Sequence, residues 1–187
     1  MNLEEYSKKA LVGLNPIIAK PNNESRKYSS MGLIEETGEV VAEFRKSLYK
    51  GNFHERKLNK EAIKEEIGDM IWYMALICKN NNIPMKKLEP QKIDNCINVK
   101  RLKKIPIRLG ENSGQISKRY RSYSKGKIKK KRLIKSLQNQ YKKILELIEI
   151  LDIPISEILE RNVEKVNNRY TKEGISKNIG VEKYERW

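Results

Sequence analysis

Residues 60–81 read KEAIKEEIGDMIWYMALICKNN, and this stretch decides the fold. Glu66 and Asp69 share a helical face with Ala62 and Tyr73, which sets them near the interior. After Asp69 the run MIWYMALIC is apolar on nearly every side, so the helix must be surrounded by other elements. Asn80-Asn81-Asn82 and Pro84 stop it. Working outward, residues 31–50 place Leu33, Thr37, Val40, Val41, Phe44 and Leu48 on one helical stripe, and Gly51-Asn52 breaks it. Residues 2–14, 128–151 and 154–170 carry the remaining helix signals, and KPNNESRKYSS (20–30) reads as a polar loop. No stretch alternates with period two. The expected fold is all-α, one domain spanning 1–187.

Composition narrows the setting. Cys78 and Cys96 form no CxxC pair, which argues against a zinc site and fits a reducing cytoplasm. The opening MNLEEYSKKALVGL is charged and amphipathic, unlike a signal peptide. The longest apolar run, 70–78, is too short to span a bilayer, so no membrane partner is expected. The net charge of +16 is local: residues 100–143 hold 17 Lys/Arg against the single acid Glu111, leaving 23 bases and 23 acids elsewhere. Such a cluster can attract triphosphates or nucleic acid. It reads equally well as the solvated face of a Lys-rich chain.

An internal repeat organises the chain. NNNIPMKKLEP (80–90) aligns with ILDIPISEILE (150–160) at an offset of 70. GLIEETGEVVAEFRK (32–46) lies over RLGENSGQISKRYRS (108–122) at an offset of 76. The expectation is a helical bundle of two tandem helix-loop-helix repeats, 31–90 and 107–160, joined by a basic linker at 91–106 and followed by a helix end and tail at 161–187. In the second copy Asn112, Gln115, Ser136 and Asn139 stand where the first has Glu36, Glu39, Glu66 and Asp69. The first copy would then be the chemical half.

Glu36/Glu39 and Glu66/Asp69 are i, i+3 pairs, each projecting to one side of its helix. Two such helices packed together could surround a hard cation with carboxylates, and the only histidine, His54, lies in a loop. That donor set suits Mg²⁺, or Mn²⁺, rather than zinc or iron. Acid pairs of this kind are also common on solvated helix faces. The second pair, however, sits beside the buried run, where an uncompensated carboxylate is costly. A cation or a salt bridge to Lys/Arg would each relieve that cost.

With these segments in view, GLIEETGEVVAEFRK followed by IKEEIGDMIWYMALIC resembles the EExxE…ExxD signature of the MazG-like nucleotide pyrophosphohydrolases, a superfamily that includes dimeric dUTPases and dCTP pyrophosphatases. IPISEILERNVEKVNNRYTKEGIS is similar to the closing helix of that family. The resemblance implies an all-α fold and Mg²⁺-dependent hydrolysis of a (deoxy)nucleoside triphosphate to the monophosphate and pyrophosphate. It implies that Glu36, Glu39, Glu66 and Asp69 bind metal, with Glu36 contacting the attacking water and Glu39 also catalytic. Glu35 would be auxiliary. Asn162, Lys165 and Arg169, with Lys46 and Lys50, would bind the phosphate chain. Two departures stand out: about seventy residues separate the ExxD helix from the closing helix, and Thr171 replaces a frequent proline. The insertion suggests one chain imitating a two-subunit assembly, and a homodimer remains open. The alternative is a non-enzymatic protein that binds nucleic acid or senses nucleotides through the 100–143 cluster.

Overall fold

Asparagine side chains cap the starts of several helices. The computed structural model describes residues 1–12, 14, 16–48, 57–90 and 102–171. Asn2 and Glu5 form a reciprocal capping box that starts α1 (Leu3–Ala10). After the single turn of α2 (Pro16–Ala19), α3 runs from Asn23 to Leu48. Asn59 Oδ1 accepts from the backbone N–H of Ala62 to start α4 (Lys60–Asn80). A 3₁₀ turn (Met85–Leu88) follows, then α5 (Ile105–Ser124), α6 (Lys130–Ile150) and α7 (Ile155–Thr171). Among the described residues there is no strand.

Helix α4 occupies the middle. From Ile67 to Cys78 only Asp69 and Tyr73 are not fully buried. Its widest contact is with α3, and α7 and α1 pack on it from other sides. The Trp72 indole donates to the Ala10 carbonyl at 3.0 Å, and Asn80 Nδ2 donates to that of Ile18 at 3.1 Å. These bonds satisfy the Trp72 and Asn80 side-chain N–H groups inside the core, while Asn80 Oδ1 is buried without a partner among the described residues. Helix α5 lies along α3 and pairs with α6, so two helical pairs share one core.

The stretch expected as a loop at 20–30 is a loop only to Asn22; from Asn23 it is the first part of α3. Of its three serines, residues that normally favour turns, Ser25 and Ser29 find backbone partners, whereas the buried Ser30 Oγ has none among the described residues. Ser25 N donates to Asn22 Oδ1 at 2.7 Å, Ser25 Oγ donates to the Ile18 carbonyl at 2.8 Å, and Ser29 Oγ donates to the Ser25 carbonyl at 2.7 Å. Helix α5 had no periodicity signal of its own in the sequence and was visible only through the repeat alignment. Its first turn also takes in 105–106, assigned above to the linker.

The two pairs end alike. Asn82 (φ 49°) and Asp152 (φ 54°) are the only non-glycine residues with positive φ among those described. Ile83 N donates to the Cys78 carbonyl, and Ile153 N to that of Ile148, both at 2.9 Å. Each is the six-to-one bond of a left-handed helix cap, and each is followed by proline.

Candidate metal centre

The chemistry-bearing side chains gather where α3 faces α4. Glu36 and Glu39 occupy one side of α3, one turn apart, and Glu66 meets them from α4. One carboxylate oxygen from each of the three lies within 4.8 Å of the others. Glu36 and Glu66 are partly buried, and Glu39 is exposed at the rim. Burial raises the Glu36 carboxyl to about 8, helped by the charge of Asp69 and a hydrogen bond shared with Glu66. Burial likewise lifts Glu66 to about 7, against the hydrogen bond from Glu36 and with the charge of Glu39. A pair that shares a proton because its charges crowd one another is a site suited to a cation. The donors are all hard oxygens, which fits Mg²⁺ or Mn²⁺.

Asp69 borders this trio, close enough for its charge to act on Glu36, but its oxygens are engaged by α7. Asn162 Nδ2 donates to Asp69 Oδ1 at 2.7 Å, and Lys165 Nζ donates to Oδ2 at 2.7 Å and also to Glu65. Asn162 in turn accepts from the fully buried hydroxyl of Tyr6 at 2.6 Å. Burial, reinforced by Asp69, holds that phenol well above its ordinary range. Glu65 is held below the usual carboxylate range by Lys165. The three α7 residues named in the sequence therefore divide. Asn162 and Lys165 contact Asp69 directly, whereas Arg169 is exposed further along the helix, with its charge reaching Glu65.

Lys46 is exposed and pairs with Glu43 at 2.7 Å, and Glu35 faces outward. Lys50 and His54 lie outside the described residues.

Glycines bring these parts together. A Cβ on Gly68 would stand 3.0 Å from Asn162 Cβ, so the missing side chain lets α7 approach α4 closely enough for Asn162 to reach Asp69. A Cβ on Gly32 would overlap the Tyr73 ring at 2.0 Å. Tyr73 lies one turn beyond Asp69, its ring centroid 5.7 Å from that of Tyr28 and 5.0 Å from that of Trp72. The sequence assigns no functional role to Tyr6, Glu65, Gly68 or Tyr73. The available signal was Gly68 itself, a poor helix former between two acids of a helix that is otherwise strongly formed.

In the second pair, Ser136 is buried and accepts from Arg119, while Asn139 and Gln115 are exposed. No group of three acids there could hold a metal among the described residues.

Among known families, residues 25–88 match the model of the MazG nucleotide pyrophosphohydrolase domain, about a third of the chain. Both α3 carboxylates, both α4 carboxylates and the cap at Asn82 fall inside that span. No curated protein and no solved structure gives a match. Among the described residues, no helix is long and apolar enough to cross a membrane.

Proposed function

We propose that this protein, whose residues 25–88 match the MazG nucleotide pyrophosphohydrolase domain, hydrolyses a (deoxy)nucleoside triphosphate to its monophosphate and pyrophosphate, with Mg²⁺ as cofactor. The observation that carries the reading is the meeting of Glu36, Glu39 and Glu66 within 4.8 Å at the α3–α4 contact, inside the matched span. Those three would hold the ion. Asp69 would complete the set, because a carboxylate oxygen that accepts one hydrogen bond keeps a further lone pair. When bound, the ion supplies charge neutralisation on the phosphates and acidifies a coordinated water.

The chain's own residues supply the rest. Asn162 and Lys165 fix the rotamer of Asp69 and keep α7 against the site. Lys165 and Arg169 place positive charge on the side where a phosphate chain would lie, and Arg169 is the exposed one, free to form a bidentate contact. Glu36, which is partly buried and crowded by the charges of Asp69, Glu66 and Glu39, would be the carboxylate that contacts the attacking water. Water attack at the α-phosphorus breaks the α–β bridge and releases pyrophosphate.

Pyrophosphate release from a panel of (d)NTPs with Mg²⁺, compared between wild type and Glu39→Gln, tests this. Turnover of at least one deoxynucleotide, nearly abolished in the variant, is expected. Equal turnover by both proteins would remove the assignment.

A further inference from the structure

A second concave site lies between α5 and α6, on the pair that lacks the acids. It is a cleft of about 750 Å³, within the range of small-ligand pockets. Lys118 and Arg119 from α5 and Lys131, Arg132 and Lys135 from α6 line it, and no acid does. Among the described residues none of these five makes an ion pair, whereas Lys46, Lys64, Lys143 and Lys165 all do. Arg119 is not a loose surface chain: it is half-buried and donates to Ser136 Oγ and to the Arg132 carbonyl. Ile128 and Ile134 add an apolar patch to the same cleft. Five cationic side chains line one concavity, and an anion of several charges would relieve their mutual repulsion.

We propose that this cleft binds a small molecule bearing a phosphate chain, without a metal ion. The five cations face the chain, and Ile128 and Ile134 sit where an attached nucleoside would rest. Its concavity favours a compact ligand: a nucleic acid would be met by a charged surface longer than one cleft. In the repeat alignment Gln115 replaces Glu39 and Lys135 replaces Glu65. The second pair would thus bind phosphate through its cations, while neutral Asn112, Gln115, Ser136 and Asn139 stand where the first has its metal-binding acids.

Calorimetric titration of the full chain in EDTA tests the site, because without divalent ions the outcome does not depend on hydrolysis at α3 and α4. Sodium tripolyphosphate and a nucleoside triphosphate are titrated into wild type, Lys131→Gln/Lys135→Gln and Glu39→Gln. Saturable binding to wild type and Glu39→Gln, weakened at least tenfold in the double lysine variant, is expected. Tighter binding of the nucleotide than of tripolyphosphate would assign a role to the isoleucines, and equal binding would point to an oligophosphate. No saturable binding, or binding unchanged in the double variant, would overturn the proposal. So would binding of a 20-nucleotide single strand that tripolyphosphate fails to displace.

Discussion

Asn162 of α7 reaches Asp69 of α4 with an Nδ2 to Oδ1 distance of 2.7 Å, across 93 residues of sequence. The bond joins the closing helix to the acidic centre, and Tyr6 of α1 stands behind it as donor to the same amide. Three helices far apart in sequence thus meet in one chain of hydrogen bonds.

Asn162→Ala strips the buried Tyr6 hydroxyl of its acceptor. Leaving such a donor unpaired costs about 1–3 kcal/mol, so chemical denaturation should show a loss of that order. Tyr6→Phe removes the donor together with its need and should cost less. A larger loss in Tyr6→Phe than in Asn162→Ala would contradict this chain.

Glycine substitutions should separate packing from propensity. Gly68→Ala drives a methyl against Asn162 and Gly32→Ala drives one into the Tyr73 ring, whereas a Cβ on Gly38 meets nothing within 4 Å. Thermal melts should fall for the first two, most for Gly32→Ala. Gly38→Ala should rise, by up to about 1 kcal/mol from helix propensity. Mn²⁺ affinity measured by electron paramagnetic resonance should drop in Gly68→Ala through the displaced Asn162, with Gly38→Ala as control.

The acidic trio predicts a pH dependence of stability. Glu36 and Glu66 titrate near 8 and 7 in the folded chain, through burial and crowding, against 4.5 for an ordinary glutamate. Between those limits the folded state holds protons that the unfolded state has released. This stabilising contribution is therefore present at low pH and lost as pH rises through 8. In a chelator, the melting temperature of wild type should fall from pH 5.5 to 8.5 more steeply than that of Glu36→Gln. Added Mg²⁺ should restore wild type most strongly at the alkaline end, where no proton competes for the oxygens. Parallel curves for the two proteins would count against the shared proton.

Arg169→Ala should raise KM for the nucleotide substrate about tenfold, with a smaller effect on kcat, if its guanidinium meets phosphate in ground and transition states alike. Lys165→Met should instead lower kcat and metal affinity together, because Lys165 acts on Asp69. Steady-state kinetics at several Mg²⁺ concentrations separates the two outcomes.

Much of this was legible in the chain. The i, i+3 acids of α3 and α4 follow from helical spacing alone, and the apolar run after Asp69 foretold that α4 would be enclosed. What escaped depends on approach distances that spacing does not encode. Asn162 and Lys165 lie on one face of α7, but their engagement with Asp69 required Gly68 to admit that helix. The serines at 25 and 29 looked like loop residues because their alternative, bonding to the Ile18 carbonyl of α2 and the Ser25 carbonyl of α3, needs neighbours to bury them. The basic segment showed its charge but not its shape. Only the pairing of α5 with α6 turns scattered lysines into a concave wall.

Helix α4 turns almost no side to water between Ile67 and Cys78. Its amide hydrogens can therefore exchange with deuterium only when the whole bundle opens, and they should be among the slowest in the molecule. A cut between the helical pairs would yield fragments with aliphatic walls bare to solvent, prone to precipitate rather than to persist. The halves are bound to a common fate during folding, whatever separate work each does afterwards.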